Sequence, residues 1–125
     1  MNNQDNLPTA FEIARACATK GGATINPRNQ RNVTTGFAVG MGGADSLPQW
    51  HAEQITEAFV GAVDAATATA QKMAGGALGA WVHRGRVYVE PVEVLQDRER
   101  AMDVARLRGE IAIFDLNTGT EIQVQ

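Results

Sequence analysis

The 125-residue chain carries the same small unit twice, and that duplication constrains its fold more than any motif within it. Phe11-Glu12-Ile13-Ala14-Arg15 near the start is echoed by Met102-Asp103-Val104-Ala105-Arg106 near the end. Ala23 to Val33 (ATINPRNQRNV) then aligns without gaps on Ala112 to Ile122 (AIFDLNTGTEI). Each copy, residues 11–39 and 102–124, reads as an amphipathic helix followed by a strand, a turn and a second strand.

Local signals fill in the rest. Thr9-x-x-Glu12 has the spacing of a capping box, and Gly21-Gly22 ends the helix that it opens. Asn26-Pro27-Arg28-Asn29 supplies turn chemistry between Ala23-Thr24-Ile25 and a partner strand over Val33 to Val39, with Phe37 and Val39 on one face. Ser46-x-x-Gln49 repeats the capping spacing at the head of a long helix, expected from about Gln49 to Met73 and stopped by Gly75-Gly76. Trp81-Val82 and Val87-Tyr88-Val89 flank His83-Arg84-Gly85-Arg86 as a tight hairpin, while Pro91 points to an edge or a bulge in the returning strand. Asp97 suits the N-cap of a third helix ending at Gly109, and Asn117-Thr118-Gly119 closes a last hairpin. The expected order is α-ββ-α-ββ-α-ββ: one α+β domain over 1–125, with helices on one face of an antiparallel sheet.

Composition excludes several classes. With 44% hydrophobic and 20% charged residues, the chain has the make-up of a soluble globular domain. The weakly polar run Ala58 to Ala70 is interrupted by Asp64 and is a poor spanning helix, and no secretory signal opens the chain. A cytoplasmic protein that binds no membrane is expected. Cys17 is the only cysteine, so no internal disulfide forms, and its place on an apolar helix face marks it as a small buried hydrophobe. The net charge of −3 argues against wholesale nucleic-acid binding.

No residue pattern names a reaction, a metal or a cofactor. Gly40, Gly42 and Gly43, with Ser46 following, lead from a strand toward an expected helix start, where backbone N–H groups can cradle a phosphate. Asp45 brings a negative charge to that place, and neither a dinucleotide nor a P-loop pattern is complete. His51 and His83 are the general-base candidates, and neither has a partner at metal-ligand spacing. Glu90, Glu93, Asp97, Glu99 and Asp103, interleaved with Arg98, Arg100, Arg106 and Arg108, read as a solvated, salt-bridged helix face before an acid/base pair. Arg84 and Arg86 on the middle hairpin, Arg98 and Arg100 on the last helix, and Trp50 are the candidate partner-binding residues, if hairpin tip and helix face converge.

The phrases Gly22-Ala-Thr-Ile-Asn-Pro, Thr35-Gly36-Phe37-Ala38-Val39 and Gly109-Glu-Ile-Ala-Ile-Phe-Asp-Leu-Asn-Thr-Gly resemble those of small accessory proteins carried by phages, prophages and plasmids of high-GC bacteria. The resemblance implies a protein that binds a host factor or defence component, and carries no activity with it. Three expectations follow. The leading one is a non-catalytic interaction protein, an inhibitor of a host protein or a homo-oligomer. The others are a small-ligand or nucleotide-phosphate binder using the Gly40 to Ser46 joint, and a small enzyme built on His51 or His83.

Overall fold

The computed structural model describes residues 7–124 as an α+β fold around a single antiparallel sheet. Helix α1 (Leu7–Lys20) is followed by β1 (Gly22–Asn26), β2 (Arg31–Asn32), β3 (Phe37–Gly40) and β4 (Asp45–Pro48). Next come the one-turn helix α2 (Trp50–Glu53), α3 (Glu57–Ala70), the hairpin β5 (Gly76–His83) and β6 (Arg86–Leu95), α4 (Arg98–Arg108), and the hairpin β7 (Ala112–Asp115) and β8 (Thr120–Gln123). The strand order is β2-β1-β5-β6-β3-β7-β8, and β4 pairs with β6 off that path.

The centre is the β5–β6 hairpin, paired without interruption from Gly76↔Glu93 to His83↔Arg86. Its turn places Arg84 at φ 51 and Gly85 at φ 77, two consecutive positive values that match the right-handed twist of the flanking strands. On its other flank β6 is shared: β4 covers Arg86 to Val89, and β3 covers Val92 to Leu95. Pro91 falls in the gap between them, so a strand expected at an edge is in fact central. The Pro91 carbonyl accepts from Met41 N at 3.1 Å, on the side away from β5. The missing N–H points the same way, and the β5 ladder loses nothing.

Directly paired residues share a face, which sorts the sheet into two. Val87 and Val89 of β6, with Ile25, Leu78 and Ala80, pack under α1, α2 and α3 against Ile13, Phe59 and Val63. Leu95, Phe37, Val39 and Ile113 continue that face under α4, against Ala101 and Ala105. Full burial of a side chain such as Phe59 contributes about 2 kcal/mol or more. Among the described residues no helix covers the opposite face, where a small hydrophobic cluster of Ala38, Ala77 and Val92, flanked by Val33, Val94 and Leu116, is buried.

Several expected elements hold. The glycine stops at Gly21 (φ 83) and Gly109 (φ 72) end α1 and α4, the Asp97 side chain accepts from Glu99 N at the head of α4, and Gly119 (φ 75) turns the last hairpin. Others need correction. Helix α1 is already formed at Leu7, so Thr9 is a buried interior residue and not a cap; residues 1–6 lie outside the described part. Ser46 opens no helix, because Asp45–Pro48 is a strand facing Tyr88 and its neighbours. The helix expected over 49–73 is broken at Ile55 (φ 50), and Thr56 recaps the chain by accepting from Phe59 N at 3.2 Å.

The duplication survives only in part. Both hairpins follow a glycine-capped helix, and they form the two ends of the strand order, β2–β1 and β7–β8. The return arm of the first copy is nevertheless two residues long. After Val33 N bonds to Thr24 O at 2.8 Å, the chain turns at Gly36 (φ 96), and β3 inserts between β6 and β7 instead of pairing with β1. Insertion buries all four residues of β3, which a hairpin arm at the sheet edge does not achieve.

Arg28, in the first turn, reaches across to the end of α3. Its guanidinium donates to Met73 O at 3.0 Å and to Gln71 O and Gly76 O at 3.3 Å, tying the first turn to the segment between α3 and β5. Arg28→Ala should therefore cost about 1–2 kcal/mol, read as a loss of about 3–6 °C in thermal unfolding. An unchanged melting temperature would show that the clamp contributes nothing.

Candidate functional site

The helix-free face is a groove. Its lining comes from β1 (Gly22, Thr24) at one end of the strand order and from β7 and β8 (Ala112, Phe114, Glu121) at the other, so the sheet curls and brings its two ends to either side of one concavity. The volume is about 730 Å³, within the usual range of small-ligand sites. Small residues keep it open. Gly79 lies directly opposite Glu90, and a Cβ there would stand 3.1 Å from Val92 Cγ1. A Cβ on Gly22 would collide with the Ala80 carbonyl and stand 3.2 Å from Trp81 Cβ.

Aromatic rings stand at the margins. Trp81 and Tyr88 are paired across β5 and β6 and stack with ring centroids 5.3 Å apart and planes 10° from parallel. Trp81 remains 38% exposed and lines the groove; Phe114, 41% exposed, lines it from β7. Ile111, on the loop before β7, is 81% exposed at the rim.

The chemistry centres on Glu90. Alternation along β6 places its side chain on the open face between Tyr88 and Val92, diagonal to Trp81 at roughly 7 Å between backbones. Glu110, on the loop between α4 and β7, leans over the same spot: a Cβ on Gly40 would collide with Glu110 Oε1 and stand 3.2 Å from Glu90 Oε1. Gly40 thus lies where two carboxylates converge. Burial, and then the neighbouring Glu110 charge, push the Glu90 carboxyl up from its ordinary value of 4.5 to about 7. Among the described residues no donor hydrogen-bonds to it.

Of the residues named in the sequence as partner-binding, phosphate-binding or general-base candidates, Gly40 alone lines this groove among the described residues. Gly42 (φ 80) and Gly43 (φ 73) form an open loop that leads into β4, so no helix N-terminus faces them, and Ser46 instead accepts from Arg86 Nε at 2.6 Å. The phosphate-cradle expectation therefore lacks its helix. Trp50, Arg84 and Arg86 do cluster: Gln49 N bonds to Gly85 O at 2.8 Å, which seats α2 against the β5–β6 turn. Arg98 and Arg100 begin α4 beyond the far end of the ten-residue β6, about 30 Å away, so hairpin tip and helix face do not converge.

His51 and Arg108 have structural roles. His51 Nδ1 is 2.8 Å from Thr56 Oγ1, the hydroxyl that caps α3, and its ring stacks on Trp50 at 3.8 Å. His83 is exposed and faces Arg86 across the hairpin. Arg108 pairs with Glu93 at 2.6 Å and reaches Gly40 O at 3.3 Å, tying α4 to β3 and β6 on the helix face. Cys17 is buried and its thiol is pushed up to about 11 by that burial, as an unreactive packing residue requires. Among the described residues no group of His, Cys, Asp and Glu is placed to hold a metal ion, and no helix is long and apolar enough to cross a membrane.

The sequence groups Glu90 with a solvated, salt-bridged helix face, and the structure places it instead on the open face of β6. The overlooked signal is strand alternation, which sets Glu90 on the same face as Tyr88 and Val92 while Glu93 goes to the other. Glu110 was beyond any local pattern, since it meets Glu90 only through a fold that joins segments 20 residues apart. No family model, curated protein or solved structure matches the chain.

A carboxyl whose folded pKa is raised destabilises the fold when it ionises, so stability should decline as pH rises from about 4.5 to about 7 and stay low above that. Glu90→Gln removes the cost. At pH 8 the variant should be more stable than the parent by on the order of 1 kcal/mol, allowing for solvent screening of a half-exposed group, and at pH 4 the two should unfold alike. A pH-independent difference in urea titrations would contradict the placement of Glu90.

Proposed function

We propose that the protein is a non-catalytic binding module that takes a small ligand into the concave, helix-free face of its sheet. The observation that carries this reading is the groove itself: about 730 Å³, open, and lined by small residues such as Gly79, Gly40 and Ala38 beside larger apolar ones. Sheet faces without a covering layer ordinarily carry polar residues that water can solvate. Here the face offers Trp81, Phe114 and Val92 around a few convergent polar groups, the composition of a ligand site.

The reading keeps the non-catalytic class expected from the sequence and moves the binding surface. The cluster of Trp50, Arg84 and Arg86 is a separate exposed surface at one end of the molecule, and the Gly40 to Ser46 joint contributes only Gly40 to the groove wall. Neither histidine lines the groove: His51 bonds to the hydroxyl that caps α3, and His83 is exposed at the end of β5. An accessory role on a mobile element is compatible with such a module, as a carrier or sensor of a small molecule, and rests on the resemblance alone.

Thr24 and Ala112 line opposite walls with half-buried side chains, which allows the groove to be filled without touching the floor. In a Trp50→Phe background, where Trp81 is the only tryptophan, fluorescence titration against small aromatic compounds bearing anionic, neutral and cationic groups should give a saturable response to at least one class. Thr24→Phe and Ala112→Phe should each weaken it by about tenfold or more while melting within a few degrees of the parent. The absence of saturable binding in every class, or full affinity in both filled variants, would overturn the proposal.

A further inference from the structure

We infer, building on the groove as a ligand site, that its ligand is an organic cation: an ammonium or guanidinium group seated between Glu90 and Glu110, with an aromatic or apolar body lying along Trp81. Charge complementarity selects the head group. The titratable groups lining the groove are Glu90 on β6, Glu110 on the loop after α4, Glu121 on β8 and Lys20 at the end of α1, three carboxylates against one ammonium. An anion placed there meets net repulsion. A cation gains two acceptors that, in the case of Glu90, have no donor among the described residues.

Arg108 and Glu93 do not alter that balance, because they pair with each other on the helix face. Geometry selects the body. Trp81 stands diagonal to Glu90, roughly 7 Å away along the same face, with Gly79 between strand neighbours and no side chain in the way. A cation held by the carboxylates therefore directs its substituent toward Trp81, an indole already fixed by stacking on Tyr88, which gives an apolar or aromatic body a wall to pack against.

Burial gives the site a pH dependence. Glu90, raised to about 7, holds its proton in the empty groove at mildly acidic pH, and a bound cation must displace it. Affinity for a cation should accordingly rise with pH up to about 7 and then level off, whereas a neutral analogue should bind alike throughout.

The test uses three compounds of matched shape, 2-phenylethylamine, 2-phenylethanol and 3-phenylpropionate, titrated against the full chain by calorimetry at pH 5.5 and pH 8. At pH 8 the amine should bind about tenfold or more tighter than the alcohol, and the carboxylate more weakly than either. That preference should shrink to about twofold in Glu90→Gln, and in the parent at pH 5.5. Glu110→Gln should weaken amine binding and also move the pH dependence downward, a shift that a purely structural role for Glu110 does not produce.

Outcomes separate the two claims. If all three compounds bind equally and Thr24→Phe blocks them, the groove reading stands and the cation inference fails. If the carboxylate binds best, the cation inference fails as well. If none binds up to its solubility limit, both fall.

Discussion

The ladder between β5 and β6 is the contact on which everything else is built. Its turn needs two consecutive residues with positive φ, supplied by Arg84 and Gly85, and its ten-residue second strand is long enough to be shared on the other flank by β4 and β3. The division of β6 sets both faces. Odd positions Val87, Val89 and Leu95 meet α3 and α4, while even positions Tyr88, Glu90 and Val92 face the open side. The groove is therefore a consequence of strand register, and slipping β6 by one residue would turn Glu90 into the helical core at a cost that the fold cannot meet.

Much of this local structure is legible in the sequence because it is specified by single residues. Gly21, Gly85, Gly109 and Gly119 adopt the left-handed conformations that their positions require, and Asp97 caps α4 as its place before an amphipathic run indicates. What the sequence hides depends on partners far along the chain. Asp45–Pro48 has no strand pattern of its own and is extended because β6 offers unpaired backbone beside it. Likewise Val33 to Gly40 alternates well enough for a hairpin arm, and only the vacancy between β6 and β7 explains why it leaves β1. The break at Ile55 is a third case: its positive φ is unfavourable for a β-branched residue, and is held by the Thr56 cap on one side and packing of Ile55 against the main core on the other.

The candidate site follows the same division. Trp81 and Tyr88 stand out in the sequence as aromatics, but the role of Trp81 in the wall of a cavity, with Tyr88 stacked behind it, arises only when β1 and β7 curl toward each other. Glu90 sits in an apolar strand, which is a local clue, whereas its convergence with Glu110 above Gly40 is tertiary. The arginines show the opposite error. Their density reads as a binding patch, yet Arg28 and Arg108 are spent on carbonyls and a carboxylate within the fold, and Arg84 and Arg86 lie at the opposite end of β6 from Arg98 and Arg100. Composition alone cannot distinguish a guanidinium that stabilises a helix end from one held ready for a partner.

The central claim is that the curled sheet encloses a half-buried carboxylate pair on its helix-free face, and the ionisation of Glu90 in the free protein reports on it directly. Carbon-13 NMR of the glutamate side-chain carboxyls, with Glu90 assigned by comparison with Glu90→Gln, follows that ionisation residue by residue. The account predicts a Glu90 midpoint near 7, falling toward the ordinary value in Glu110→Gln. A midpoint at about 4.5 in the parent protein, unmoved by that substitution, would mean that Glu90 stands in open water and that the groove is not formed.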